Sequence, residues 1–208
     1  DAAATLPVHL LADVRGQRVI ELCAAPGGKT MQLAAAGANV TALELEARRL
    51  ALIEENLTRI KLSADVIAAD ARDWTPDART PFVLLDAPCT ATGTIRRHPD
   101  LPWIKSASDV TACMQTAYEL LEAGAAMVAP GGLLVFAVCS LEREEGIEQI
   151  ENFLRAHGEF SREKIVAADL FGQTQWVSAE GDLRTLPCHL GDKGGMDGFY
   201  AAKLRRAL

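Results

Sequence analysis

The sequence predicts an α/β fold, a seven-stranded, mostly parallel sheet with helices on both faces. Three observations carry that reading. Apolar runs bounded by turn residues alternate with segments of helical period along the chain. Hydrophobic residues make up 49% of the total while aromatics are only 5%, so the core is aliphatic. A chain of 208 residues with that apolar content forms one ordinary domain and can bury a sizeable core.

The strands fall at 18–23, 39–44, 64–68, 82–86, 132–138, 164–167 and 198–204. A small-residue turn after the first leads into a helix. Between the second and third strands, Leu50, Ile53, Leu57 and Ile60 step by three and four, while Arg48, Arg49, Glu55 and Arg59 lie opposite. That is a surface helix lying on a sheet. A longer helix over 106–129 opens with Ser-x-x-Asp at Ser106 and stops at Pro130-Gly131-Gly132. It covers the other face. A further helix over 142–157 turns Ile147, Ile150 and Leu154 inward. The irregular stretch 89–105 follows a strand's carboxyl end, where open α/β sheets bind ligands.

Composition excludes several functions. No window approaches the roughly eighteen apolar residues of a membrane span, and no signal segment opens the chain, so neither membrane insertion nor export is expected. The balance of 21 basic against 28 acidic residues, a net −7, has the wrong sign for a surface that grips phosphate throughout. Any nucleic-acid contact must use a local patch or another domain. Five cysteines without a C-x-x-C pair read as free thiols in a reducing compartment, and Cys188-His189 lacks a second pair, so no metal site is expected. The chain opens at Asp1 without a methionine, as a processed protein or a piece of a longer one would.

The first strand runs into Cys23-Ala24-Ala25-Pro26-Gly27-Gly28-Lys29-Thr30, where small residues let a ligand approach a helix's positive end. A P-loop would need glycine where Cys23 stands, and Pro26 removes an N–H from the cradle. The dinucleotide fingerprint G-x-G-x-x-G is missing. What remains is a tight turn followed by Glu44 at the end of the next strand, where a carboxylate accepts both ribose hydroxyls. Asp70 and Asp86 close the third and fourth strands. Each acid alone reads equally well as a solvated cap. Three in series line one crevice, and a nucleoside with a small charged tail fits it.

Cys89 and Cys139 follow the fourth and fifth strands, which would bring both thiols to that crevice and favours chemistry over core packing. Cys113 and Cys188 read as core thiols.

These residues resemble the Nop2/Sun family of RNA cytosine-5 methyltransferases. The turn "CAAPGGKT", the segment "DAPCTATG" with "RRHPD" after it, "VCS" followed by "EEG", and the terminal "DGFYAAKL" keep the family's order and spacing from Cys23 to Leu204. The likeness is greatest to the Sun or RsmB type, which acts on bacterial small-subunit ribosomal RNA. It implies a Rossmann-like class I S-adenosylmethionine-dependent methyltransferase fold, and a catalytic domain over 1–208 lacking an upstream RNA-binding domain.

The resemblance also assigns roles. Cys23, Ala24, Ala25, Pro26, Gly27, Gly28 and Lys29 would bind the methionine part of S-adenosylmethionine, Glu44 the ribose and Asp70 the adenine. Asp86 would border both cofactor and base. Cys139 would be the nucleophile and Cys89 would help release the adduct. Arg96, Arg97 and His98 would hold phosphates flanking an unstacked base. A cytoplasmic monomer acting on RNA is expected. Val138, Gly146, Glu21 and Glu44 depart from the residues most common in the family at those places. Two rivals remain open: a nucleotide hydrolase built on Gly28-Lys29-Thr30, and an inactive cofactor or RNA-binding module.

Overall fold

The first strand, apolar on both faces, lies inside the sheet. The computed structural model describes residues 1–11 and 13–208. In it β1 (Arg18–Leu22), β2 (Asn39–Glu44), β3 (Asp65–Ala68), β4 (Thr80–Asp86) and β5 (Val128–Val138) run parallel in the order β3-β2-β1-β4-β5. The sheet has eight strands rather than the seven predicted. Beyond β5 it continues antiparallel: β8 (Phe199–Arg206) pairs β5, and both β6 (Phe160–Glu163) and β7 (Leu183–Thr185) pair β8.

The helices divide between the faces. α1 (Leu6–His9), α2 (Gly28–Ala35) and α3 (Ala47–Ile60) pack Leu6, Leu33, Ile53 and Leu57 onto Val19, Val40 and Leu84. α4 (Leu101–Ile104) is a single turn within the 89–105 stretch. On the opposite face, α5 (Ala107–Met127) and α6 (Ile147–Ala156) set Leu121, Ile150 and Phe153 against Ile20, Leu85 and Phe136. Burial of these aliphatic side chains, each worth roughly 1.5–3 kcal/mol, holds the layers together.

Several boundaries differ from expectation by a residue or two, and the departures with a physical cause lie at β6, at the junction of α5 with β5, and at α6. Residues 164–167 are not a strand; the strand is Phe160–Glu163, and Ala167–Leu170 forms a 3-10 turn. Charge pairing rather than apolar alternation stabilises β6, since Glu163 lies 2.9 Å from Lys203 and 2.7 Å from Arg205 of β8. The long helix begins as predicted, with the Ser106 N–H donating to Asp109 at 2.8 Å, but ends at Met127. β5 starts at once and absorbs Pro130-Gly131-Gly132 in a bulge, where its register against β4 shifts. α6 begins only at Ile147, because Glu145 is drawn into the interior.

Candidate active site

The parallel strands deliver the predicted acids and thiols to one edge of the sheet. Glu44 is the last residue of β2 and Asp86 the last of β4, while Asp70 lies two residues beyond β3. Cys139 directly follows β5. The turn between β1 and α2 wraps beside them with Cys23 at φ 58° and Gly27 at φ 96°. A β-carbon on Gly27 would meet the Ile53 side chain at 3.2 Å, so glycine serves both the left-handed backbone and the packing of α3.

Buried Glu44 ties this turn to its own strand. Its carboxylate accepts from the Ala25 N–H at 3.2 Å and the Glu46 N–H at 3.1 Å, and Arg49 lies 3.5 Å away. Asp70 is held by Arg72, whose Nη2 donates at 2.6 Å and backbone N–H at 3.0 Å. The Arg72 side-chain hydrogen bonds hold the Asp70 carboxyl below its ordinary value. Glu44, Asp70, Asp86, Cys23 and Ala25 line a cavity of about 430 Å³. A second cavity, about 420 Å³, is lined by Lys29, Thr94, Arg97, Asp197 and Phe199. Ala25, Asp86 and Cys139 line both. They form the boundary at which the two compartments meet.

At that boundary Lys29 donates from Nζ to Asp86 at 2.5 Å and lies over the Phe199 ring at 5.4 Å. Burial works against its charge, yet the adjacent Asp86 outweighs burial and its pKa is raised. Lys29 is thus a fixed cation turned into the sheet edge, which leaves it unavailable to a P-loop phosphate. Beneath it, buried Glu21 accepts from the Thr30 hydroxyl at 2.6 Å, and desolvation pushes its pKa up to about 8.

The Cys89 and Cys139 sulfurs lie 3.6 Å apart. The hydrogen bond from Cys89 lowers the pKa of Cys139, and Lys29 adds to the effect, whereas the same bond and burial raise that of Cys89. Of the two sulfurs, Cys139 is the more easily ionised and Cys89 the one that holds its proton more firmly. Cys23 is different: burial, then Glu44 and Asp86, push it up to about 12, so it stays a thiol. Cys113 is half-buried in α5, and Cys188 is exposed rather than in the core, because its segment lies on the surface outside the helices and strands.

The loop bases are engaged internally. Arg97 forms a bidentate pair with buried Asp197 at 2.6 and 3.0 Å, and Arg96 reaches Asp1 at 2.8 Å and Asp197 at 3.5 Å. His98 is exposed. Arg97 nonetheless lines the second cavity, whereas Arg96 and His98 do not.

Sequence reasoning assigned no role to Asp197, Phe199, Thr90, Ser140 or Glu145, although all stand in or beside the quoted motifs. Their burial explains the motifs. Gly93 and Gly198 pack backbone to backbone: a β-carbon on Gly93 would lie 2.0 Å from the Gly198 carbonyl oxygen, and the Gly93 N–H donates to the Cys139 carbonyl at 3.0 Å. Among the described residues no cluster of three or more His, Cys, Asp or Glu side chains is arranged to hold a metal, and no helix is long and apolar enough to cross a membrane.

Comparison with known proteins finds the same framework. A family model described as 16S rRNA methyltransferase RsmB/F matches residues 8–205. The ribosomal RNA small subunit methyltransferase B of Yersinia enterocolitica is 43% identical over 209 residues, covering 98% of this chain and 46% of that protein. The corresponding Pseudomonas putida protein is 44% identical over 211 residues, with the same coverage. The chain thus spans about half the length of these curated relatives. The crystal structure of NSun6 from Pyrococcus horikoshii superposes with a TM-score of 0.83 over 99% of this chain and 52% of its own, at 24% identity, which supports the fold.

Proposed function

The chain belongs to the RsmB/F family of 16S rRNA methyltransferases, and from that premise we propose that it transfers a methyl group from S-adenosylmethionine to C5 of a cytosine in small-subunit ribosomal RNA. The observation that carries this reading is the meeting of two cavities at Asp86 and Cys139, with Cys89 3.6 Å from Cys139. A transferase needs a donor compartment and an acceptor compartment that share a wall at the reacting atoms.

The donor set of the first cavity fits the cofactor. With S-adenosylmethionine in this cavity, Glu44 would hold the vicinal ribose hydroxyls, Asp70 would stand on the adenine side, and Cys23 and Ala25 would flank the amino-acid tail near the start of α2, whereas Ala24, Pro26, Gly28 and Lys29 of the same turn line the second cavity. When bound, S-adenosylmethionine supplies an electrophilic methyl group on a sulfonium sulfur. The acidic lining suits that positive charge.

In the second cavity the chain's own groups activate the base. Cytosine C5 is a weak nucleophile, so the Cys139 thiolate adds to C6 and makes C5 enamine-like, while N3 takes up a proton from solvent as charge develops there and Asp86, held by Lys29, accepts the hydrogen bond from the resulting N3–H. After methylation C5 must lose its proton. Once Cys139 is bonded to C6, Cys89 gives its own proton to solvent and as a thiolate takes the C5 proton; the C5–H electron pair forms the C5–C6 double bond and the C6–S bond breaks with its pair returning to Cys139. Arg97 leaves Asp197 for, or shares itself with, a flanking phosphate. Arg96 and His98 contribute farther from the cavity. The enzyme works as a monomer in the cytoplasm, whose reducing conditions keep both thiols free, and the remainder of the longer protein strengthens RNA binding.

The test is methyl transfer from radiolabelled S-adenosylmethionine to small-subunit ribosomal RNA, followed by mapping of 5-methylcytosine. Label at a single cytosine supports the reading. ATP turnover without methyl transfer would return the site to the hydrolase class.

A further inference from the structure

We propose that Glu145 is a positioning residue that clamps the Cys89 and Cys139 loops into one two-thiol unit, a role that rests on the methyl-transfer reading of that site. Glu145 touches neither cavity. It is only 1% exposed, and its partners Thr90 and Ser140 are fully buried.

Thr90 follows Cys89 and Ser140 follows Cys139, two segments fifty residues apart in sequence. One carboxylate spans them. Its Oε1 accepts from the Thr90 N–H at 2.8 Å, and its Oε2 accepts from the Thr90 hydroxyl at 2.6 Å and the Ser140 hydroxyl at 2.5 Å. The clamp is extended by Thr92, whose hydroxyl lies 3.2 Å from that of Ser140 and accepts from the Leu141 N–H at 2.9 Å. Burying a carboxylate is costly, and three donors, one next to each cysteine at least, compensate it at a single place. Apolar packing could join two loops as firmly, but it would not fix two sulfurs to within hydrogen-bond reach.

The clamp sets reactivity through geometry. Cys139 is lowered chiefly by the Cys89 hydrogen bond, which disappears if the loops part by an ångström or so, and the Glu145 charge adds to the forces keeping Cys89 protonated. Losing the clamp therefore raises Cys139 and frees Cys89 to ionise.

The experiment follows the two thiols in the full-length protein without RNA. Glu145→Gln keeps the volume but removes one acceptor. Peptide mass spectrometry gives the iodoacetamide alkylation rate of Cys139 against pH, and the rate at which diamide, taking two electrons and two protons, joins Cys89 to Cys139. In Glu145→Gln the Cys139 profile should move up by about one pH unit, cutting alkylation below its pKa about tenfold. Disulfide formation should slow by a similar factor, while S-adenosylhomocysteine binding stays within about twofold. Thr90→Val, which loses the hydroxyl at constant shape, should move the same way, and Thr90→Ser should lie nearer the wild type. That pair decides the question if Glu145→Gln does not fold. Wild-type thiol profiles and wild-type disulfide rates in Glu145→Gln, or in Thr90→Val, would overturn the clamp. A wild-type protein with the expected thiol behaviour but no methyl transfer would sink the reaction instead and leave the clamp standing.

Discussion

The sulfur of Cys89 lies 3.6 Å from that of Cys139, and the two are electrostatically unlike: the hydrogen bond between them lowers Cys139 and raises Cys89. Their substitutions should therefore fail differently. Cys139→Ala should abolish methylation and trap no RNA. Cys89→Ala should still form the C6 adduct but resolve it slowly, accumulating a protein-RNA species on denaturing gels. The opposite pattern would make Cys89 the nucleophile and contradict the electrostatics of the pair.

Glu21 yields a stability prediction. The folded protein keeps its proton up to about pH 8, whereas the reference value for an unburied Glu is 4.5. Between those values the native state binds more protons than the unfolded chain, so this residue's contribution is fully present below about pH 4.5 and is lost as pH rises through about 8. The loss is on the order of a few kcal/mol. Glu21→Gln has no such titration. Urea midpoints at pH 5.5 and 8.5 should fall more steeply in the wild type than in the variant. Equal slopes would mean that Glu21 is ionised in the fold.

Glu44 and Asp70 line the donor cavity but are held differently. Glu44 is buried and binds two backbone N–H groups, whereas Asp70 is more exposed and paired with Arg72. Either residue changed to Ala should weaken S-adenosylmethionine binding by about 1–3 kcal/mol, the range for removing one partner of a buried polar contact. Glu44→Ala should lose more, because the Ala25 turn loses its anchor too. Calorimetry showing wild-type affinity for both would refute the assignment of this cavity to the cofactor.

The site was more legible in the sequence than the sheet's far edge, for a physical reason. Glu44, Asp86, Cys89 and Cys139 end or follow β2, β4 and β5, which are strongly apolar, so alternation located the strands and their ends located the chemistry. β6 reads Phe-Ser-Arg-Glu and β7 only Leu-Arg-Thr. Neither has an apolar signature; they exist because β8 supplies partners such as Lys203 and Arg205 for Glu163, and a long-range pairing leaves no local pattern. Glu145 was hidden for a related reason. In sequence it is only the second acid of the EEG motif, and the approach of the Thr90 and Ser140 loops is what gives it donors. Arg96 and Arg97 read as free phosphate contacts because their partners Asp1 and Asp197 are about a hundred residues away from them in sequence.

Gly93 tests whether motif glycines serve packing or ligand approach. A β-carbon there would lie 2.0 Å from the Gly198 carbonyl oxygen and 2.9 Å from that of Cys139, both backbone atoms that cannot swing aside. Gly93→Ala should therefore lower thermal stability and disturb the Cys139 loop together. Gly28→Ala, with nothing within 4 Å of the added carbon, should leave stability nearly unchanged. A Gly93→Ala protein melting with the wild type would show that the loop has slack which the structure denies it.

The ion pairs of Arg96 and Arg97 shape the last prediction, which concerns salt. Each phosphate contact made to single-stranded RNA contributes about −0.7 to the slope of log affinity against log salt. The chain carries a net −7, Arg97 must give up part of its bond to Asp197 to reach a phosphate, and Lys203 and Arg205 are already paired with Glu163. Few cations are left near the second cavity. Residues 1–208 alone should bind RNA weakly, with a slope no steeper than about −2, equivalent to two or three contacts. A full-length relative such as the Pseudomonas putida protein, of which this chain covers 46%, should bind more tightly and more steeply, because tethering further segments to the domain raises the effective concentration of RNA at the cavity without altering the chemistry there. Filter binding of both proteins across a salt series measures this directly. Equal affinities and slopes would show that this domain recognises its RNA unaided, through cations released from their present carboxylate partners.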